Sequence, residues 1–225
     1  TMRYDLIKDE LIEIKEKYAD ERRTQIVKMA TEFNPEDMYA DDDMVITISH
    51  LGYIKRTPLS EFRSQTRGGI GSKASASRDQ DFIEYVHQAS MHSTMMFFTE
   101  MGRLYWLKVY DIAEGNKQSK GRAIQNMINL QKGDKVRAFI NVKGLNDEEY
   151  VNSHYLIFAT KNGLMKKTTL ESYSHPRANG IIALGLREGD ELIGVTLTDG
   201  ESQMLIASYN GKVVRFPENT VRPMG

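Results

Sequence analysis

Residues 44–59 read MVITISHLGYIKRTPL, and the pattern returns three times: TMMFFTEMGRLYWLKV at 94–109, YLIFATKNGLMKKTTL at 155–170 and QMLIASYNGKVVRFPE at 203–218. The four segments align on Gly52, Gly102, Gly163 and Gly211, which are separated by 50, 61 and 48 residues. Six positions before each glycine stands Ile46, Met96, Ile157 or Leu205. Three before it stands a hydroxyl: Ser49, Thr99, Thr160 or Ser208. Two after it stands Ile54, Leu104, Met165 or Val213. Short apolar runs on either side of a turn glycine make a β-hairpin. Asn162-Gly163 and Asn210-Gly211 point to two-residue type I′ turns, in which both central residues take positive φ.

Two further elements follow each of the first three hairpins. A glycine-bearing basic loop comes first: SQTRGGIGSK at 64–73, QSKGRAI at 118–124 and HPRANGII at 175–182. An aspartate leading an apolar strand comes next: DFIEYV at 81–86, DKVRAF at 134–139 and DELIGV at 190–195. A unit of ~50 residues built this way is a blade of a propeller-like array. One blade cannot bury both of its faces, so neighbours stack. The fold class expected is mainly β, a run of about four such blades over residues 44–225, the fourth incomplete, preceded by an N-terminal α-helix.

That helix is read from Tyr4, Ile7, Leu11, Ile14 and Tyr18, spaced alternately by three and four, which is a coiled-coil seam. Two heptads are too short to stand alone. Asn34-Pro35 and the run Asp41-Asp42-Asp43 read as a linker over 31–43. Charge follows the same division. Residues 1–43 hold 7 basic and 13 acidic residues, whereas residues 44–225 hold 23 basic and 18 acidic ones, so an overall net charge of −1 hides a mildly basic β region. No run approaches the ~18–20 apolar residues of a membrane helix, no signal peptide is visible at the start, and the absence of cysteine excludes disulfides and thiolate metal sites.

Residues for catalysis or metal binding are not evident. His50, His87, His92, His154 and His175 lack ligand spacing. The glycines of Arg67–Lys73 fit neither a phosphate loop nor a dinucleotide fingerprint. Basic residues, by contrast, recur at matched places. Lys55 and Arg56, Lys166 and Lys167, and Arg215 lie just beyond the turns; Arg103 and Lys212 follow the turn glycine directly; Lys108 ends the second hairpin. The loops add Arg67 and Lys73, Lys120 and Arg122, and Arg177. A column repeated around stacked blades becomes a band of positive charge, suited to the phosphates of bent DNA without reading bases.

Several stretches then carry a family resemblance. Gln65-Thr66-Arg67-Gly68-Gly69-Ile70-Gly71 resembles the gyrase-A box, QRRGGKG. Glu21–Thr24, Ser49–Lys55, Pro58–Phe62, Asp81–Ile83, Gly189–Val195 and Gly211–Phe216 resemble the same family in the same order. The resemblance is to the A subunit of DNA gyrase and covers essentially the whole chain. It implies that 1–30 is the end of the coiled-coil tail helix of the breakage-reunion domain, 31–43 a linker, and 44–225 part of a six-bladed β-pinwheel that wraps double-stranded DNA. Gln65, Arg67, Gly68, Gly69 and Gly71 match the box, and the basic residues above become the implied phosphate contacts. The family's enzyme is an ATP-hydrolysing A2B2 topoisomerase of the bacterial cytoplasm, associated with the nucleoid, in which the B subunit brings ATP and Mg. Its catalytic tyrosine falls outside this chain, so no residue here is expected to be catalytic or to hold a cofactor. Thr66 and Ile70 depart from the box and remove two positive charges. The alternatives are the equivalent domain of topoisomerase IV, which decatenates, and a propeller-like protein-interaction module.

Overall fold

The structure, a computed structural model, describes residues 2–21, 23–24, 34–62, 67–69 and 80–225. It divides into two compact units, Thr1–Asn34 and Pro35–Gly225. In the first, α1 (Met2–Tyr18) leaves its whole seam exposed, Tyr4, Ile7, Leu11, Ile14 and Tyr18 included. The helix is shorter than the expected 1–30 span. The Ala19 N–H donates to the Lys15 carbonyl at 2.9 Å, and the chain leaves the helix at Asp20 and Glu21. Two carboxylates are poorly placed at the negative end of a helix dipole.

The second unit is built from repeated antiparallel strands. In chain order they are β1 (Asp43–Ser49), β2 (Tyr53–Pro58), β3 (Ile83–Ser90), β4 (Thr94–Thr99), β5 (Arg103–Lys108), β6 (Arg122–Ala123) and β7 (Val136–Val142). A short helix, α2 (Glu148–Ser153), precedes β8 (Tyr155–Thr160), β9 (Met165–Thr169), β10 (Ile181–Ile182), β11 (Leu192–Thr198), β12 (Gln203–Ala207) and β13 (Val213–Pro217). The four expected hairpins are β1–β2, β4–β5, β8–β9 and β12–β13. The three strands expected after an aspartate also form, and each pairs with the first strand of its hairpin: β3 with β1, β7 with β4, β11 with β8.

A further pairing ties consecutive repeats together. The two-residue β6 of the second repeat pairs with β2 of the first, Ala123 opposite Tyr53 and Arg122 opposite Ile54. In the same way β10 of the third repeat pairs with β5 of the second, Ile181 opposite Leu104 and Ile182 opposite Arg103. The first two sheets are thus completed by the strand that ends the next repeat's basic loop, which gives the orders β3-β1-β2-β6 and β10-β5-β4-β7, beside a three-stranded β11-β8-β9 and the hairpin β12-β13.

The turns correct the type I′ expectation. Gly52, Gly102, Gly163 and Gly211 all take positive φ, but neither Asn162 nor Asn210 does; among the described residues Gln80 alone of the non-glycines is positive. Each glycine N–H donates to the carbonyl of the hydroxyl residue three positions earlier, at 2.9–3.0 Å. The result is a three-residue loop, a type I turn closed by a left-handed glycine. The hydroxyls explain the choice. Ser49, Thr99, Thr160 and Ser208 accept the N–H of the residue after the glycine, Tyr53, Arg103, Leu164 and Lys212, at 3.1–3.2 Å. The leading aspartates complete the turn from the third strand: Asp81, Asp134 and Asp190 accept the N–H of Leu51, Met101 and Asn162 at 3.0, 3.2 and 3.0 Å. Burial pushes the Asp81 and Asp190 carboxyls up. Their hydrogen bonds outweigh it and hold both below the ordinary carboxylate range.

The core sits between sheets. Strand β4 is buried along its whole length. Because side chains alternate along a strand, Met95 and Phe97 join a cluster with Met44, Ile46, Ile54 and Val109, while Met96 and Phe98 join another with Leu104, Leu156, Phe158 and Leu170. A central sheet covered on both faces explains the continuous apolar run Met95–Phe98.

The segment expected as a linker over 31–43 is partly docked. Pro35–Met38 forms a turn of 3₁₀ helix, Glu36 pairs with Lys108, and Tyr39 stacks on Tyr110 with ring centroids 5.0 Å apart. The Asp41 carboxylate accepts the His92 backbone N–H at 3.0 Å. Residues 31–33 lie outside the described residues.

Candidate nucleic-acid interface

The expected basic residues separate into three groups. Lys120, Arg122, Arg177, Lys212 and Arg215 are exposed. Lys120 and Arg122 flank Gly121 where the loop enters β6, and Arg177 lies on the loop entering β10. Both loops run along the outer edge of the preceding hairpin, so strand exchange sets a loop that carries basic side chains along the same edge of two successive sheets. Lys212 and Arg215 belong to the last hairpin. Lys117, absent from the expected contacts, lies on the same loop as Lys120, its ammonium 4.8 Å from the centre of the Phe62 ring. Its neighbours in QSKGRAI were the available signal.

A second group is half-buried. Arg103 donates to the Tyr105 hydroxyl at 3.2 Å and to the Asn179 carbonyl at 3.1 Å. Lys108 pairs with Glu36 and donates to the His92 carbonyl at 3.3 Å. Lys166 is half-buried on β9.

The third group corrects the expectation. Lys55, Arg56 and Lys167 are 2, 8 and 3% exposed and spend their donors inside the protein. Lys55 donates to the carbonyls of Asn116 and Ser119 at 2.8 and 2.9 Å. Burial pushes its ammonium below the ordinary lysine range, with nearby Glu61 acting against the shift. Arg56 pairs with Glu114 at 3.1 Å and donates to the Met91 sulfur. Lys167 pairs with the fully buried Glu218 at 2.8 Å and lies 4.1 Å from the centre of the Tyr155 ring. A buried charge needs a partner or hydrogen bonds: Arg56 and Lys167 have a carboxylate each, and Lys55 has two carbonyls. All three join one repeat to the next and are not available to a phosphate.

Of the box residues, Arg67, Gly68 and Gly69 are described and exposed, and Gly68 takes φ 89°. Gln65, Thr66, Ile70, Gly71 and Lys73 lie outside the described residues.

A family model described as DNA gyrase C-terminal domain, beta-propeller, matches residues 43–90, 93–143, 154–199 and 202–225. The chain belongs to the DNA gyrase C-terminal domain family. The four matched blocks are the four repeats: the first holds β1–β3, the second β4–β7, the third β8–β11 and the last β12–β13. The DNA gyrase A protein of Haemophilus influenzae is 42% identical over 221 residues, 98% of this chain and 24% of that protein. The Staphylococcus epidermidis protein of the same name is 43% identical over 221 residues, again 98% of this chain and 24% of that protein. The chain therefore spans about a quarter of the length of the curated relatives it matches. Among solved structures, the C-terminal domain of DNA topoisomerase IV superposes with TM-score 0.67 at 24% identity, covering 83% of this chain and 55% of that one. A DNA gyrase A C-terminal domain superposes with TM-score 0.62 at 21% identity, covering 81% and 57%. At those identities the likeness concerns the fold, and it is the propeller-like fold of the family. Among the described residues, no helix is long and apolar enough to cross a membrane, and no group of three or more His, Asp or Glu residues is arranged to hold a metal ion.

Proposed function

We propose that residues 44–225 form the DNA-wrapping part of the larger protein of a DNA gyrase, its A subunit, with α1 as the end of the tail helix leading into them. In that reading the chain works within an A2B2 topoisomerase of the bacterial cytoplasm, close to the nucleoid. The B subunit supplies ATP hydrolysis and Mg, and a second copy of the A protein completes the cleavage core. The wrapped duplex is turned back so that a nearby segment is presented for strand passage, which fixes the sign of supercoiling.

The observation that carries the reading is strand exchange. It sets exposed basic loops, with Lys120 and Arg122 on one and Arg177 on the next, along the outer edge of successive sheets. Bending DNA around such an edge costs several kcal/mol per ~20–30 bp, and neutralised phosphates with released counterions offset it. Contacts of this kind position DNA without reading its sequence. The test is binding of ~40-bp and ~130-bp duplexes over a salt series, with bending followed by end-to-end energy transfer. Preference for the longer duplex, a steep salt slope and rising transfer are expected. Length-independent binding without bending overturns the reading.

One observation favours a second reading: the topoisomerase IV domain superposes at the higher TM-score of the two neighbours. Against it, the RGGxG core of Arg67–Gly71 resembles the gyrase signature. Negative supercoiling by the full-length protein with its B partner supports gyrase; decatenation without supercoiling supports the other.

A further inference from the structure

Lys55 lies three residues beyond the turn glycine Gly52, on the strand edge that receives β6. Its aliphatic stem runs beneath the loop 115–122, and a Cβ added at Gly121 would lie 3.2 Å from the Lys55 Cβ and 2.5 Å from the Ile54 carbonyl oxygen. Its ammonium caps the carbonyls of Asn116 and Ser119. The Asn116 side-chain oxygen in turn accepts the N–H groups of Gln118 and Ser119, both at 3.0 Å. The start of the loop is fixed from the same strand: Thr57 Oγ1 donates to the Gly115 carbonyl at 2.7 Å, and the Gly115 N–H donates to the Arg56 carbonyl at 2.9 Å. The far side of this loop is exposed, and it carries Lys120 and Arg122.

The second sheet repeats the arrangement with different chemistry. Tyr105 lies three residues beyond Gly102 and is 2% exposed. A Cβ at Gly180, on the loop entering β10, would lie 2.7 Å from the Tyr105 ring and 2.6 Å from the Leu104 carbonyl oxygen. Gly121 and Gly180 take φ of 79° and 66°, so each incoming loop presses its backbone flat onto the side chain at that one position. Arg103 bridges the Tyr105 hydroxyl to the Asn179 carbonyl and fixes the loop that carries Arg177.

We propose that the side chain three residues beyond the turn glycine is a seat for the next repeat's basic loop. Lys55 is then a positioning residue for the phosphate contacts of Lys120 and Arg122 and touches no DNA itself. The proposal rests on the DNA-wrapping reading for its functional half. Its chemistry is that of a strut: removing the ammonium leaves the Ser119 carbonyl without its donor and the Asn116 carbonyl held by Ser119 of the same loop alone, so nothing ties the loop down at this point and it lifts from the sheet.

The test compares ~130-bp duplex binding over a salt series for the parent chain, Lys55→Met, Lys120→Ala with Arg122→Ala, and the triple variant. Lys55→Met is expected to lower affinity and salt slope about as far as the loop pair does, and the triple variant to bind no more weakly than the pair. Each lost phosphate contact flattens the slope by about 0.9. A triple variant flatter than the pair by that further amount makes Lys55 a direct contact and overturns the proposal, as does a Lys55→Met variant that binds like the parent. Should Lys55→Met not fold, lysine acetylation of the parent decides: Lys55 is expected to resist reagent with and without DNA, and Lys120 to be protected by DNA alone. A Lys55 that is labelled in the free chain and protected by DNA refutes the seat. If the parent binds no duplex, the wrapping reading falls. Amide exchange of Gln118–Arg122, expected to quicken at least tenfold in Lys55→Met, still tests the seat.

Discussion

Replacing Lys167 by Met should unfold this protein more readily than removal of any exposed basic residue. Glu218 is fully buried at the first position of a 3₁₀ turn, where the other repeats place Leu59, Val109 and Leu170. Its carboxylate takes the Lys167 ammonium at 2.8 Å, the Thr198 hydroxyl at 2.6 Å and the Ser202 N–H at 3.3 Å. Lys167→Met keeps the volume and leaves the carboxylate with two neutral donors. Breaking a buried pair from one side costs about 3–5 kcal/mol, which lowers Tm by roughly 6–20 °C in a domain of this size. Adding Glu218→Leu removes the orphaned charge and restores the apolar residue type of the other repeats, so the double variant should return to within about 1 kcal/mol of the parent. The assay is urea denaturation followed by fluorescence of the single tryptophan, Trp106, whose indole N–H donates to the Tyr173 carbonyl between the second and third repeats. A single variant costing under about 1 kcal/mol, or a double variant as unstable as the single, refutes the reasoning. Acid supplies a second readout. Burial pushes the Glu218 carboxyl up, but the hydrogen bonds from Lys167 and Thr198 and the Lys167 charge outweigh it, so the folded pKa lies below the ordinary 4.5. A depressed folded pKa stabilises above the unfolded value, and the contribution is lost as pH falls through the folded one. Glu218→Gln should therefore flatten the loss of stability below pH ~4.5.

Thr99→Val keeps the shape of a fully buried side chain but strips the Arg103 N–H of its acceptor, and should cost roughly 1–3 kcal/mol in the same denaturation assay. Gly102→Ala should be worse than Gly52→Ala by at least about 1 kcal/mol. Both glycines have positive φ, but a Cβ at Gly102 runs into the Leu184 carbonyl, whereas Gly52 has open space. Removing residues 1–43 takes away the Tyr39–Tyr110 stack and the Glu36–Lys108 pair, and should lower stability by about 1–2 kcal/mol without changing the far-ultraviolet spectrum of the sheets. Arg122→Ala and Arg177→Ala should each weaken duplex binding equally across sequences and flatten the salt slope by about 0.9, which a gel-shift series measures.

The hairpins were legible because the turn is a covalent problem with a local answer. A left-handed glycine, a hydroxyl three residues before it and an aspartate on the third strand together satisfy the turn's N–H groups, so the three columns recur in the sequence. The exchanged strands were not legible. Arg122–Ala123 and Ile181–Ile182 are two residues long, too short to show a period, and their partners lie in the preceding repeat. Asn162 and Asn210 point to the wrong turn type, because a three-residue loop needs positive φ at the glycine alone. The basic columns recur in the sequence, but charge in a sequence does not reveal its partner. Lys55, Arg56 and Lys167 point at carbonyls and carboxylates of the following repeat, so they read like Lys120 or Arg122 until the strands are assembled. The helix was visible from its seam, and its end at Tyr18 was not, since Asp20-Glu21 extends the same charged pattern without the fold continuing.

The most direct test of the account is topological. Nicked circular DNA is bound by the chain, sealed with ligase and stripped of protein, and the linking-number distribution is compared with that of DNA sealed alone. Wrapping around an edge of exposed basic loops predicts a distribution displaced in one direction, growing with bound protein, and reduced in the variant lacking Lys120, Arg122 and Arg177. Saturated binding with an undisplaced distribution would contradict it, because DNA held without writhe is bound and not wrapped.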